Sequence, residues 1–335
     1  VMKIAVIGSG AIGGLVAGYL KHRKADVFLV GRGASFEAIK KEGLFISGTR
    51  GELKVPIDIY SHLDKRVDLV ILAVKTQDAE KTIKENLEYL KYTTILTTQN
   101  GVQADTILAR HIPKKNIISS IVMFGSTYLG GNKIAQNFEG RWILGRPFAK
   151  NDETVQRVSA ALSAIFPVIV SDDIPGMKWL KIFVNANNAL AAIIGKSMQE
   201  TFKDLKLCKI SMRLWQEGLK VINTAGIKLE SLPDFPLERL IKLTGLPLDE
   251  SAKIFSQIMV NLSRDPLYGS ILQSLKRDRL SEIDYINGEF VSLGKACGVR
   301  AALNERLVSL VHKVERTRKF LSAEELLDKT KEFMN

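Results

Sequence analysis

A stripe of polar residues crosses an otherwise apolar segment near the middle of the chain. In residues 177–195 (MKWLKIFVNANNALAAIIG), Lys181, Asn185 and Asn188 lie at i, i+4 and i+7, on one face of a helix. An ammonium group and two amides are costly to bury unpaired, so we expect them to face a polar cleft, where the lysine can donate a proton to a carbonyl oxygen. An internal polar network or a contact between domains is the alternative. Lys178 is interpreted as a solvated charge at the helix start.

A second polar cluster contains Ser270 and the run 281–288 (SEIDYING). Ser281 is interpreted as the N-cap of a helix, with Asp284 three residues later. Glu282 lies off the apolar stripe of this helix. From the residues alone, an acid stabilised by the helix dipole is favoured over a substrate-binding role for Glu282.

A glycine-rich loop opens the chain, directly after the apolar run KIAVI and before a segment of helical periodicity. This order of strand, loop and helix is typical of a dinucleotide-binding turn, although a glycine-rich turn without a ligand is the alternative. Gly8 would allow the tight turn, Gly10 the approach of a pyrophosphate, and Gly13 close packing of helix on strand. The phosphate-binding candidates are Gly8, Ser9, Gly10, Ala11, Ile12 and Gly13.

The end of the second predicted strand, Val27–Val30, indicates which dinucleotide is bound. An acidic residue there accepts bonds from the ribose hydroxyls, whereas an arginine accommodates a 2′-phosphate. The strand is followed by Arg32, and Asp26 lies before it. The sequence therefore favours NADPH over NADH, with a solvated loop charge as the alternative for Arg32.

Reduction of a carbonyl by hydride needs a proton donor, and several familiar donors are absent from the sequence. No tyrosine has a lysine four residues later, and the two cysteines, Cys208 and Cys297, are too few for a catalytic and a structural zinc. None of the four histidines has an adjacent carboxylate, so a histidine acid lacks support. Lysine remains, and no metal is predicted.

Composition and charge restrict the class of molecule. The 335 residues are 46% hydrophobic and 25% charged, which excludes a disordered chain. No apolar run reaches the roughly 18 residues of a membrane helix, and the N-terminus lacks a cleavable signal, so we expect a cytoplasmic protein without a membrane partner. The net charge of +12 suits an anionic ligand or a basic surface, and no basic run with aromatics indicates a nucleic-acid partner.

Short β-branched runs alternate with helical or loop segments up to Val170, and helix-length periodicity dominates after Ser171. This pattern predicts an α/β protein with an N-terminal Rossmann-type doubly wound sheet (1–170) and an all-helical C-terminal domain (171–335). Residues 43–58 are predicted to form a hairpin after the second crossover. The long helices are predicted at 174–194, 202–225, 248–262, 281–297 and 303–320.

Taken together, these motifs resemble the ketopantoate reductase (2-dehydropantoate 2-reductase) family over nearly the whole chain. The matching blocks are GSGAIGG at the start, Gly31-Arg32, Val74-Lys75-Thr76-Gln77, Gln99-Asn100-Gly101, Trp179-Leu180-Lys181 and SEIDYING. The resemblance implies a Rossmann domain, a helical C-terminal domain, and NADPH-dependent reduction of 2-dehydropantoate to pantoate on the route to coenzyme A.

The resemblance also implies roles for individual residues. It makes Lys181 the general acid and Glu282 a catalytic and substrate-binding residue. It places Lys75 and Asn100 at the cofactor, with Asn100 also near the substrate. The substrate-binding set is Lys181, Asn185, Asn188, Ser270, Glu282 and Asn100.

Three positions depart from the family pattern and leave the substrate open. Ala189 stands where the family's second asparagine is usual, and Leu267 and Ser274 replace an asparagine and an aspartate near Ser270. The alternatives are a reductase of another 2-oxo acid and a non-catalytic dinucleotide sensor, although a sensor needs neither Lys181 nor Glu282. A small-molecule 2-oxo acid is the expected partner, and a homodimer is left open.

Overall fold

The structure, a computed structural model, describes residues 2–263 and 265–334. Its chain divides into two compact units, the first ending at Ile174 and the second beginning at Pro175. Strands and helices alternate in the first unit, and helices make up the second. The predicted α/β class, with a Rossmann-type sheet followed by a helical region, is confirmed.

The first unit contains two sheets. Their strands are β1 (Lys3–Ile7), β2 (Asp26–Val30), β3 (Leu44–Gly48), β4 (Leu53–Val55), β5 (Ile59–Tyr60), β6 (Leu69–Leu72), β7 (Thr94–Thr97), β8 (Ile117–Val122), β9 (Gly125–Gly130), β10 (Lys133–Phe138), β11 (Trp142–Gly145) and β12 (Val168–Val170). The larger sheet has the order β5-β2-β1-β6-β7-β8-β11-β12, in which the strands from β5 to β8 are parallel and β11 is antiparallel to β8. From β5 to β8 this is the Rossmann order, and it reverses beside β1, where such folds bind ligands at the carboxyl ends of the strands.

Helices cover the parallel sheet on both faces. They are α1 (Ala11–His22), α2 (Gly33–Glu42), α3 (Thr76–Glu85), α4 (Leu87–Leu90), α5 (Gln103–Ala109) and α6 (Glu153–Ser163). In β1, Ile4 and Val6 belong to one apolar cluster, and Ile7 belongs to another. Burial on both faces explains why β1 and β6 are continuous apolar runs.

The smaller sheet, in the order β4-β3-β10-β9, packs on helix α1. A Cβ at Gly14 would collide with Ile134, and one at Gly18 with Ile46, so glycines allow this close contact. The antiparallel pairing of β3 and β4 confirms the predicted hairpin. Strands β9 and β10 escape sequence prediction because residues 125–138 are polar and glycine-containing.

The second unit consists of ten helices of four or more residues within the described ranges. They are α7 (Ile174–Ala186), which begins at the last residue of the first unit, and α8 (Asn188–Ile194), α9 (Met198–Phe202), α10 (Leu205–Thr224), α11 (Leu237–Gly245), α12 (Leu248–Val260), α13 (Ser270–Leu275), α14 (Asn287–Cys297), α15 (Ala302–Thr317) and α16 (Ala323–Thr330). Side chains of α10 and α14 hold α7 in place. The Phe183 ring lies 4.8 Å from that of Phe290, and Trp215 Nε1 donates to the Phe183 carbonyl oxygen at 2.7 Å.

One predicted long helix is interrupted, and another begins later than predicted. The helix predicted over 174–194 breaks after Ala186, whose carbonyl oxygen accepts a hydrogen bond from the side-chain amide of Asn287 at 3.3 Å. The helix predicted over 202–225 begins only at Leu205, because the Asp204 carboxylate accepts from the Lys206 N–H at 2.8 Å and caps it there. Apolar periodicity does not reveal these side-chain bonds to the backbone.

Candidate functional site

The glycine loop joins β1 to α1 at the carboxyl edge of the parallel sheet. Gly8 has φ +115°, and a Cβ there would approach the Ala73 backbone to 2.7 Å. A Cβ at Gly13 would collide with the Gly8 carbonyl oxygen. Side chains are therefore excluded at both positions by the turn itself and by the packing of helix on strand.

Gly10 is different, because a Cβ at this position would meet nothing within 4 Å. It is the N-cap of α1, and no side chain caps that helix. The first turn, which starts with Ala11 and Ile12, therefore presents backbone N–H groups beside open space. A pyrophosphate fits this arrangement, because its charge would complement the helix N-terminus.

Arg32 follows β2 and is already paired. Its two terminal nitrogens lie 2.7 and 3.3 Å from the carboxylate oxygens of Glu85, at the end of α3, and its Nε donates to the Ser61 carbonyl oxygen at 3.5 Å. The Arg32 side chain is 57% exposed. Ser35 Oγ donates to the Arg32 carbonyl oxygen and lies 2.7 Å from Ser9 Oγ, so the glycine loop and the end of β2 are linked.

Lys75 and Asn100 lie in the loops after β6 and β7, two adjacent strands of the same sheet. Gln99 connects these loops, since its Nε2 donates to the carbonyl oxygens of Leu72 and Val74, both at 2.8 Å. Thr76 Oγ1 donates to the Asn100 carbonyl oxygen at 3.4 Å. The predicted cofactor residues of the first unit thus share the carboxyl edge of its sheet.

Lys181 lies in the middle of α7 and is partly buried. The pKa of its ammonium is lowered to about 8, because burial and, to a smaller extent, the positive charge of Lys178 lower it more than the negative charge of Glu282 raises it. Lys181 and Glu282 are thus close enough to interact electrostatically. A lysine with a pKa near neutral pH is suited to proton transfer.

Lys178 is not the solvated helix-start charge that the sequence predicts. Helix α7 begins at Ile174, which places Lys178 in its second turn, and the residue is only 4% exposed. It precedes Lys181 by three residues and so lies on the same side of the helix. The structure therefore brings a second cation to Lys181.

The interpretation of Ser281 as a helix N-cap is wrong. Helix α14 begins only at Asn287, and Ile283–Tyr285 form a 3₁₀ turn. The Ser281 N–H and hydroxyl both donate to Glu315 Oε1, at 2.8 and 2.7 Å. Ser281 is therefore bonded to α15 and does not cap α14. Glu282 therefore lies in a turn and not in the first turn of an α-helix.

The remaining predicted substrate residues fall in two places. Asn185 lies one turn after Lys181 in α7, whereas Asn188 lies beyond the helix break, in α8. The Asn188 side chain packs against Gly269, where a Cβ would approach its amide carbon to 2.7 Å. Since Ser270 follows Gly269, the structure brings Asn188 close to Ser270 and interrupts the continuous stripe predicted from Lys181 to Asn188.

A histidine with two carboxylate partners was missed. His312 lies 2.7 Å from Glu315 through Nδ1 and 3.0 Å from Asp284 through Nε2. The prediction that no histidine has a carboxylate beside it is therefore wrong. The spacing of His312 and Glu315, at i and i+3, was the available signal, but the partner Asp284 is distant in sequence.

Two kinds of feature are absent from the described residues. No helix in residues 2–263 and 265–334 is long and apolar enough to cross a bilayer. In the same ranges, no group of three or more His, Cys, Asp or Glu side chains could hold a metal ion.

Comparison with known proteins gives matches over most of the chain. A family model described as ketopantoate reductase PanE/ApbA matches residues 4–147, and the model of its C-terminal part matches residues 173–315. The 2-dehydropantoate 2-reductase of Pyrococcus horikoshii is 29% identical over 313 residues, which are 92% of this chain and 96% of that protein. The same enzyme from Archaeoglobus fulgidus is 27% identical over 94% of this chain and 98% of that protein.

Among solved structures, a ternary complex of D-mandelate dehydrogenase with NADH and anilino(oxo)acetate is similar. It superposes with a TM-score of 0.83 at 26% identity, over 94% of this chain and 99% of that one.

Proposed function

Because the chain belongs to the ketopantoate reductase family, we propose that it catalyses the NADPH-dependent reduction of 2-dehydropantoate to (R)-pantoate in the cytoplasm. The observation that carries this proposal is Lys181, a partly buried lysine with a pKa of about 8 that interacts electrostatically with Glu282. A dinucleotide sensor would need neither group. A bound nicotinamide dinucleotide would supply the hydride.

Lys181 is assigned the proton transfer. Hydride addition at the carbonyl carbon leaves an alkoxide, which a nearby ammonium stabilises and protonates. With a pKa of about 8, Lys181 is mostly protonated at neutral pH and still a stronger acid than an ordinary lysine. Lys178 contributes by keeping that pKa low.

Glu282 is assigned to the substrate hydroxyl and to the support of Lys181, whose pKa its negative charge raises. Asn185 would bind the substrate one helical turn from Lys181. The pair of Asn188 and Ser270 would bind its carboxylate through amide and hydroxyl donors.

The cofactor is assigned to the carboxyl edge of the sheet in the first unit. The loop 8–13 would hold the pyrophosphate through backbone N–H groups at the start of α1, with Lys75 and Asn100 alongside. Arg32 would bind the 2′-phosphate of NADPH, which must compete with Glu85 for the guanidinium.

A second candidate is the reduction of a different 2-oxo acid. It is favoured by the similarity to D-mandelate dehydrogenase, whose complex contains NADH and a substituted oxoacetate. The departures at Ala189, Leu267 and Ser274 lie around the proposed substrate residues and would alter the pocket without affecting Lys181.

A panel of 2-oxo acids, assayed with NADPH and with NADH through the loss of nicotinamide absorbance, separates the two candidates. The proposal predicts the highest kcat/KM for 2-dehydropantoate with NADPH. A higher kcat/KM for an aromatic or shorter 2-oxo acid would favour the second candidate, and no turnover with any of them would contradict both.

A further inference from the structure

The turn that contains Glu282 is attached to helix α15 on both sides. Before Glu282, the Ser281 N–H and hydroxyl donate to Glu315 Oε1 at 2.8 and 2.7 Å. After it, the Asp284 carboxylate lies 3.0 Å from His312 Nε2. His312 Nδ1 and Glu315 Oε2 are 2.7 Å apart, which closes the connection.

Glu315 is the centre of this arrangement. Its side chain is only 5% exposed, and a buried carboxylate is retained when its oxygens accept several hydrogen bonds. Burial raises the pKa of Glu315, but the bonds from Ser281 and His312 outweigh burial and hold the pKa below its usual value. The carboxylate is therefore charged at neutral pH.

Doubly protonated His312 can donate to Asp284 and to Glu315 at the same time. Burial lowers the pKa of His312, yet the bonds to Glu315 and Asp284 raise it above its usual value overall. The two carboxylates thus favour the cation that joins them.

We propose that Glu315 and His312 are positioning residues that hold the turn 281–284 and so maintain the electrostatic interaction of Glu282 with Lys181. Neither residue is needed as an acid or base in this role. This role rests on the proposed function of Glu282. It explains the hydrogen-bonded cluster of Ser281, Asp284, His312 and Glu315, which takes no direct part in the proposed reaction. Displacement of a catalytic group by about 1 Å can cost about a hundredfold in rate.

Three variants and one control test the proposal. Glu315→Ala removes the acceptor of Ser281, and His312→Ala, at a partly exposed position, removes the links to Asp284 and to Glu315 but leaves the acceptor of Ser281. Glu315→Gln keeps an oxygen that can accept from Ser281 and an amide that can donate to His312. The control is Glu305→Ala, a carboxylate of the same helix that pairs with Arg300.

Each variant is measured by hydrogen exchange of the amides of residues 281–286, by kcat and KM for the best 2-oxo acid, and by NADPH affinity. Glu315→Ala and His312→Ala should exchange faster in this turn and lose roughly tenfold or more in kcat, with unchanged NADPH affinity. Glu315→Gln should recover most of both losses, and Glu305→Ala should match the unmutated protein.

Unchanged exchange in both alanine variants would overturn the proposal, as would faster exchange with full kcat. The exchange measurement does not need turnover. If the unmutated protein reduced no 2-oxo acid, the proposed function would fail. Faster exchange in Glu315→Ala, reversed in Glu315→Gln, would still show that Glu315 holds the turn 281–284.

Discussion

The pKa of Lys181 should be visible in the pH dependence of reduction. With a pKa of about 8, about 90% of Lys181 is protonated at pH 7 and about 10% at pH 9. If its proton goes to the product, kcat/KM for the 2-oxo acid should be flat near neutral pH and fall about tenfold per pH unit above about pH 9. The reverse reaction, which needs the neutral amine, should rise over the same range.

Replacing Lys178 tests the cause of this low pKa. Lys178 and Lys181 are three residues apart on α7, so their charges lie roughly 6–10 Å from each other, and at an effective dielectric constant of about 20 they repel by about 2 kcal/mol. Lys178→Gln should therefore move the alkaline limb upward by about 1.5 pH units. Burial, which is the larger cause, would keep it below the value for an exposed lysine.

The assay is kcat/KM for 2-dehydropantoate, measured from about pH 6 to pH 10 with saturating NADPH. Circular dichroism at each pH excludes unfolding as the cause of a loss. The matched control is Lys220→Gln, at an exposed position of α10, which should leave the limb in place. A profile without an alkaline limb, or one that Lys178→Gln does not move, would refute the reasoning.

Three other predictions concern the cofactor and Glu282. Arg32→Ala should erase most of a preference for NADPH over NADH, since a charge-assisted bond contributes roughly 1.5–3 kcal/mol, or about ten- to a hundredfold; equal kcat/KM for both cofactors in the unmutated protein would contradict this. Glu282→Gln should lower kcat and substrate affinity but leave NADPH binding, followed by cofactor fluorescence, unchanged; a parallel loss of NADPH affinity would count against the assignment. Gly10→Ala should keep its melting temperature and bind NADPH more weakly, whereas Gly13→Ala should lose about 1–3 kcal/mol of stability; the reverse pattern would be inconsistent with the loop geometry.

The first unit was largely predictable because its signals are local. Strands β1 and β6 are buried on both faces and therefore read as continuous apolar runs, and the glycine loop follows β1 directly. Strands β9 and β10 gave no such signal, since one side of their small sheet is covered by α1 and their residues are mostly polar. The packing of their sheet on α1 depends on Gly14 and Gly18. The need for glycine at these two positions is seen only in the folded structure, where Ile134 and Ile46 lie against them.

In the second unit, hydrogen bonds between residues distant in sequence determine where helices and turns begin and end, and apolar periodicity does not predict these bonds. The break after Ala186 depends on Asn287, and the turn around Glu282 depends on Glu315, each of them far along the chain. The sequence around Lys178 is ordinary for a solvated lysine. Its burial is seen only in the structure, where α7 begins at Ile174 and Lys178 lies in the second turn. Lys181 was a candidate from the polar stripe and from the family resemblance, whereas Glu282 became one through the resemblance alone.

The turnover of Lys181→Ala tests most directly whether Lys181 donates the proton. If it does, this variant should stay folded, bind NADPH as the unmutated protein does, and reduce 2-dehydropantoate with a kcat at least about a hundredfold lower. Lys181→Arg should restore little, because a guanidinium does not release its proton at working pH. A Lys181→Ala variant that retained most of the kcat of the unmutated protein would contradict the account, and the proton donor would then have to be another group, with Lys75 the first to examine.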